Sequence, residues 1–161
     1  MKLYLAQHGD SVPEAVDPER PLSERGHDDV ERLAQFLALG GMRVPRVCHS
    51  GKLRARQTAE LLAARVGSAD AIEAVSGLNP NDPIEPVADR INTWTDDTLL
   101  VGHLPFMARL LAYLVSGDSG RQVALFRPGT ITCLERDAEG RWALAWMLRP
   151  ELLGRQLDQS L

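Results

Sequence analysis

Four times along this chain a short apolar segment ends in a polar or glycine-bearing turn and gives way to residues whose apolar members recur every three or four positions. Lys2 to Gln7 reads as a strand, followed by His8, Gly9 and Asp10 and a turn-rich stretch with Pro13, Pro18 and Pro21. Ser23 is placed to cap a helix over Glu24 to Leu39, whose apolar side is Val30, Leu33, Ala34 and Leu37 and which Gly40-Gly41 stop. Val44 to His49 gives a second strand, Ser50 and Gly51 a turn, and Leu53 to Val66 a second helix closed by Gly67. Ala69 to Val75 is a third strand, Ser76 to Pro86 a loop rich in Asn, Asp and Pro, and Val87, Ile91 and Trp94 mark a short helix. Thr98 to Val101 runs into Gly102 and His103, and Pro105 opens a helix carrying Phe106, Leu110, Leu111 and Leu114. Strands are then expected at Gln122 to Phe126, Thr130 to Glu135 and Trp142 to Leu148, the last two joined by a turn at Asp137 to Gly140. Strands alternating with helices and ending in an antiparallel tail predict a three-layer α/β/α sandwich with a mixed sheet.

A chain of 161 residues is the size of one domain, and such a domain buries about two-thirds of its unfolded surface without help from disulfides or metal. Residues 1–161 are therefore expected to form a single domain. Eighteen Lys and Arg against 22 Asp and Glu give a net charge of −4, the wrong sign for a nonspecific nucleic-acid binder. Trp142 and Trp146 share parity on one strand, which favours core packing over a base-stacking array. Cys48 and Cys133 lie in apolar runs and read as buried thiols, fitting a reducing cytoplasm. No apolar stretch approaches the length of a membrane span, and Gln7 and His8 interrupt the first apolar run before it resembles a signal peptide. The expectation is a cytoplasmic monomer with no nucleic-acid or membrane partner.

In open α/β sheets the loops after the strands meet at one rim, where ligands bind. Here that rule gathers Gln7-His8-Gly9, His49-Ser50, the start of the helix holding Arg54, and Gly102-His103. A neutral imidazole has one nitrogen free to attack an electrophile while the other is fixed by a backbone hydrogen bond, which makes His8 a candidate nucleophile. Gly9, without a Cβ, is expected to let a bound anion approach the backbone. His103 sits at a second strand end in the same glycine-histidine setting. Arg54, in the first turn of its helix, offers a forked set of donors suited to phosphoryl oxygens beside the N-terminal amides. Arg56, two positions on, points elsewhere. Ser50 is placed either to donate to an anion or to cap the helix.

These groups resemble the histidine phosphatase superfamily, the phosphoglycerate mutase-like family, and within it the small bacterial phosphohistidine phosphatases. Gln7-His8-Gly9 stands where the family has Arg-His-Gly. Pro21-Leu22-Ser23-Glu24-Arg25-Gly26 matches its Pro-Leu-Thr/Ser-x-x-Gly segment, Ser50 to Ala59 its Ser-x-x-x-Arg-Ala-x-Gln-Thr-Ala, and Gly102-His103-Leu104-Pro105 its Gly/Ser-His motif with the Leu-Pro of the small branch. The resemblance runs across nearly the whole chain and implies a mostly parallel central sheet. It implies that His8 becomes phosphorylated, that Arg54 clamps phosphate, and that His103 is the second pocket histidine, protonated to stabilise charge. Gln7, Gly9, Ser50 and Gly102 complete the phosphate-binding set that it implies.

The implied activity is that of a phosphoric monoester or phosphoramidate hydrolase in signal transduction, removing phosphate from histidine on a protein such as a phosphotransfer domain. No metal or other cofactor is expected, because cationic side chains fill the place Mg²⁺ takes elsewhere. Cys48 and His49 fall on opposite faces of a strand, without compact ligand spacing. The first strand also lacks a following Gly-x-Gly-x-x-Gly, which argues against dinucleotide binding.

The chain departs from the family at Gln7, which offers amide hydrogen bonds but no charge. Losing one positioned transition-state donor costs about 10²- to 10³-fold in rate, so a phosphate- or phosphoprotein-binding module with little catalysis is the alternative reading. Arg20, Arg25, Arg127 and Arg149 are candidates to compensate. No carboxylate near Leu78-Asn79-Pro80 matches the general acid of the mutase and acid-phosphatase branches, leaving Asp10, Asp17 and Asp82. That favours phosphohistidine, whose imidazole departs neutral, over the alkoxide of a small-molecule phosphomonoester. Without a large inserted cap, the pocket also suits a side chain presented by a protein. Gly26 falls in a helix's first turn, where glycine is costly, and close packing there would explain it.

Overall fold

The computed structural model describes residues 1–154. Its strands are β1 (Lys2–Gln7), β2 (Arg46–His49), β3 (Ile72–Ala74), β4 (Thr98–Gly102), β5 (Ile131–Arg136) and β6 (Trp142–Leu148). They form one sheet in the order β3-β2-β4-β1-β5-β6, the first four parallel and β5 and β6 antiparallel to their neighbours. The helices are α1 (Glu24–Leu39), α2 (Leu53–Val66), α3 (Glu85–Asn92) and α4 (Phe106–Ser116). This is the mixed, mostly parallel three-layer sandwich the sequence predicts. No helix among the described residues is long and apolar enough to cross a membrane.

The two cores follow from the period of a strand, whose side chains alternate between faces. Tyr4 and Ala6 of β1, with Leu99 and Val101 of β4, pack with Val30, Leu33 and Leu37 of α1 and Ala59 and Leu62 of α2. Leu3, Leu5 and Leu100 point the other way, into Val87 and Ile91 of α3 and Phe106 and Leu110 of α4. Central strands covered on both faces read as continuous apolar runs, as these do. Ser23 caps α1, its hydroxyl accepting from the Gly26 N–H at 3.0 Å. Cys48 and Cys133 are buried free thiols, and burial pushes them up to about 12 and about 11.

Four expectations change. Pro45 has no N–H for a ladder, and pairing of β2 with β4 begins at Arg46. Ala69–Ala71 winds into a single 3-10 turn, leaving only Ile72–Ala74 as strand. Gln122 to Phe126 forms no strand: it is a largely exposed connection with Phe126 as its buried anchor. Trp142 and Trp146 do not share a face, because β6 is bulged where Cys133 pairs with Trp146 but Leu134 pairs with Leu144. Trp142 joins the α3/α4 core, whereas Trp146 lies 6.0 Å from the Tyr4 ring on the other face.

The topology positions the site. Neighbouring β1 and β4 are in register from Leu3↔Thr98 to Gln7↔Gly102. The chain leaves β1 toward α1 on one face and leaves β4 toward α4 on the other. Between such diverging connections a crevice opens at the carboxyl ends of the strands.

Candidate active site

His8 and His103 stand beside each other at that crevice, ring centroids 5.0 Å apart. The backbone N–H of His8 donates to Gly102 O at 3.0 Å, tying the two strand ends together. Nδ1 of His8 is 2.7 Å from Gly9 O. A carbonyl only accepts, so Nδ1 carries the proton and Nε2 keeps its lone pair. Arg54 Nε donates toward that lone pair at 3.3 Å. Burial above all pushes the His8 pKa down to about 4; the Gly9 carbonyl opposes this, and the Arg54 and Arg20 charges add to the lowering. His8 is therefore a neutral, oriented imidazole at neutral pH.

His103 is 2% exposed, with Nε2 2.6 Å from Ser50 Oγ and no protein partner for Nδ1 among the described residues. Burial first, then His8, Arg54, Lys52 and Arg20, push its pKa down to about 3. In the empty cleft its surroundings therefore favour the neutral ring. A phosphoryl dianion alongside acts in the opposite direction, by attraction to the protonated form.

Arg54 projects from the first turn of α2, after a turn in which Gly51 takes a φ of 91°. Further along the same helix, Thr58 Oγ1 donates to Arg54 O at 2.8 Å and accepts the Gly9 N–H at 3.0 Å. Its neighbour Gln57 accepts the Leu22 N–H through Oε1 at 2.7 Å. Consecutive α2 residues thereby fasten both ends of the loop between β1 and α1. Sequence reasoning missed both roles; the available signal was Thr58, the one polar residue on the helix's buried face of Ala55, Ala59, Leu62, Ala63 and Val66.

The open cleft has a volume of about 330 Å³ and is lined by Gln7, His8, Arg54 and His103 together with Asp10, Ser11 and Arg20. Pro80, Leu104 and Pro128 flank it. Gln7 is 7% exposed, and its Oε1 finds no partner among the described residues.

Gly9, Ser50 and Gly102, expected to face phosphate, lie next to the residues that line this cleft and have polar groups engaged within the protein. The Gly9 N–H is taken by Thr58, and a Cβ at Gly9 would meet Val30 Cγ2 at 2.8 Å. Glycine is thus needed there for α1 to pack, rather than for an anion to approach. A Cβ at Gly102 would meet Met107 Sδ at 2.6 Å, and the Gly102 carbonyl serves His8. Ser50 is engaged by His103. Gly26 is explained by contact too, since a Cβ there would lie 2.0 Å from Asp10 O.

Of the compensating arginines, only Arg20 lines the cleft. Arg25 is exposed beside Asp29, Arg149 reaches Glu151 and Leu125 O, and Arg127 is exposed. Among the described residues Asp10 is the single carboxylate lining the cleft, and it accepts from Ser23 Oγ at 2.6 Å. Asp17 and Asp82 hold loop amides instead. His49 accepts the Gly51 N–H, away from the cleft. No three His, Cys, Asp or Glu among the described residues are grouped to hold a metal ion.

A crevice at the switch point of an α/β sheet, holding paired histidines with arginine beside one of them, is an arrangement suited to phosphoryl chemistry, and the comparisons with known proteins give the class as phosphatase. The sequence profile of the histidine phosphatase superfamily (branch 1) matches residues 3–79. The phosphohistidine phosphatase SixA of Escherichia coli is 26% identical over 155 residues, covering 93% of this chain and 94% of that protein. An uncharacterised protein of Picosynechococcus is 31% identical over 139 residues, 81% of this chain and 83% of its own length. The solved structure of the protein histidine phosphatase SixA complexed with tungstate superposes with a TM-score of 0.85 at 26% identity, covering 96% of this chain and all of that one. The chain belongs to the histidine phosphatase superfamily.

Proposed function

We propose that this protein is a phosphohistidine phosphatase that hydrolyses phosphohistidine on a protein partner through a covalent phospho-His8 intermediate, without a metal. The observation that carries the reading is the fixed tautomer of His8: Nδ1–H on Gly9 O, Nε2 unprotonated in the cleft and next to Arg54. Nε2 attacks phosphorus in line, and the bond from phosphorus to the substrate imidazole breaks. If the other nitrogen of that ring carries a proton, the ring leaves neutral, so no protein acid is required. Water then attacks phospho-His8 and releases phosphate. Arg54 stabilises charge on the equatorial oxygens at both steps, and His103, raised by the dianion, takes a share.

The SixA relatives support a phosphohistidine substrate. The engagement of Asp10 by Ser23, and the placement of Asp17 and Asp82 away from the cleft, support a leaving group that needs no proton from the enzyme. An open cleft flanked by Pro80, Leu104 and Pro128 suits a histidine presented on the surface of a phosphotransfer domain. In this reading residues 1–161 act as one monomeric domain in cytoplasmic signal transduction, with two buried thiols in keeping with a reducing compartment.

The test is incubation with a histidine-phosphorylated protein, beside p-nitrophenyl phosphate, with an acid-free quench and detection of phosphohistidine on this chain. Turnover with label on His8, lost in H8A, is the expected result. Affinity for the phosphoprotein with neither label nor phosphate release would sink the catalytic reading and leave the binding module that Gln7 suggests. Preference for the small ester would move the substrate to a phosphomonoester.

A further inference from the structure

We propose that Arg20, carried on the loop between β1 and α1, is the cation that replaces the one absent at Gln7, and that it binds the phosphoryl group together with Arg54. The inference deepens the phosphatase reading of the cleft and rests on it.

Gln7 occupies a buried strand end and brings no charge to the cleft. Its Oε1 lacks a partner among the described residues, so the polar end of this residue is not committed to the fold. Arg20 reaches the same cleft from a different part of the chain. Its Nε donates to Val12 O at 3.3 Å and one Nη to Ser11 Oγ at 3.0 Å. Two of five guanidinium donors are thus used to aim the group, and the rest are left for a ligand. Among the described residues no carboxylate pairs with Arg20, although Arg25 and Arg149 are both paired. Asp10, the acid lining the cleft, is occupied by Ser23. The Arg20 charge therefore acts on the cleft itself: it contributes to lowering the pKa of His8, His103 and Arg54 alike.

Arg20 is also held in place. It is the one non-glycine residue at positive φ, 48°, among the described residues. An L side chain adopts that conformation at a cost, and such residues concentrate at ligand clamps. The enclosing loop is over-determined: Thr58 holds Gly9, Gln57 holds Leu22, and the Val12 N–H donates to Pro21 O at 2.9 Å. The Arg20 N–H itself donates to Asp17 O at 3.0 Å. A neutral ligand would gain only hydrogen bonds from such a guanidinium. A phosphoryl dianion meets two forked cations, one from the loop and one from α2.

The experiment is a double-mutant cycle of R20Q and Q7R, read by kcat/KM on a histidine-phosphorylated protein and by the Kd for orthovanadate from calorimetry. R20Q is expected to lose about 100-fold in kcat/KM, the scale of one transition-state donor, and at least tenfold in vanadate affinity. In the Q7R background the same change is expected to cost less than tenfold in kcat/KM, because the strand-end arginine takes over. R20K, which keeps the charge but not the fork, is expected to fall between R20Q and the wild type. Losses from R20Q below threefold in both readouts, or equal losses in both backgrounds, would overturn the proposal. If Q7R does not fold, the vanadate affinities of R20Q and R20K decide it alone. Vanadate affinity needs no turnover, so a wild-type chain without phosphatase activity defeats the catalytic reading while this measurement still judges Arg20.

Discussion

Arg54 Nε donates to His8 Nε2 at 3.3 Å, so the guanidinium sits against the atom with the lone pair. In the proposed mechanism this contact marks where phosphorus and its oxygens would meet, between the imidazole proposed to attack and the cation proposed to receive charge. Arg54→Ala is expected to lower kcat by about 10²- to 10³-fold. It should also raise the His8 pKa, because the Arg54 charge is among the causes that lower it. Steady-state kinetics and an NMR titration of the His8 ring check the two halves independently; an unchanged rate would remove Arg54 from the phosphate site.

The depressed histidines make stability depend on pH with a definite sign. His8 is lowered to about 4 and His103 to about 3 from the ordinary 6.5. Between 6.5 and about 4 the unfolded chain binds protons that the folded chain refuses, so stability is complete above pH 6.5 and falls as pH drops through that window. Urea unfolding at pH 7.0, 5.5 and 4.5 tests this. The His8→Gln variant should show a shallower decline; an identical slope would mean that His8 is not held neutral.

Gly26→Ala sets helix propensity against packing. Alanine in a helix is favoured over glycine by about 1 kcal/mol, but here its Cβ would fall 2.0 Å from a backbone oxygen, Asp10 O. Overpacking of this kind costs about 1–3 kcal/mol or more, and the net expectation is destabilisation. A rise in the urea midpoint would refute the contact.

Thr58→Val keeps the shape but removes the hydroxyl that accepts the Gly9 N–H. An unsatisfied buried donor costs about 1–3 kcal/mol. Because Gly9 O also fixes the His8 tautomer, kcat is expected to fall more than KM rises. Thr58→Ser, which retains the hydroxyl, should recover most of the rate. Failure of serine to rescue would assign the loss to packing.

Much of the fold could be read from spacing. Val30, Leu33, Ala34 and Leu37 give α1 its bounds, Ser23 and Gly40 its caps, and α2 ends at Gly67 as its composition predicts. The convergence of His8, Arg54 and His103 also follows from strand ends meeting at one rim. What stayed hidden was set by contacts distant in sequence. The bulge that turns Trp146 away from Trp142 depends on pairing with Cys133. The reason for Gly9 lies in Val30 and the α1 backbone. Arg20 could not be ranked above Arg25, since its distinction comes from a loop tied to α2 and from the lack of a carboxylate partner among the described residues. The protonation state of His103 depends on burial and neighbouring charge, which residue order does not show.

The hydrogen bond from the His8 amide to Gly102 O joins residues 94 positions apart, and β1 is flanked on its other side by β5. The setting of His8 therefore depends on the most non-local pairings of the sheet, which are expected to close late because long loops must first be ordered. During synthesis, a nascent chain lacking the β4 and β5 segments carries His8 without its setting. First turnover would then report completed folding, so a pulse of refolding followed by a phosphatase assay should gain activity no earlier than it gains the β1-β4 ladder.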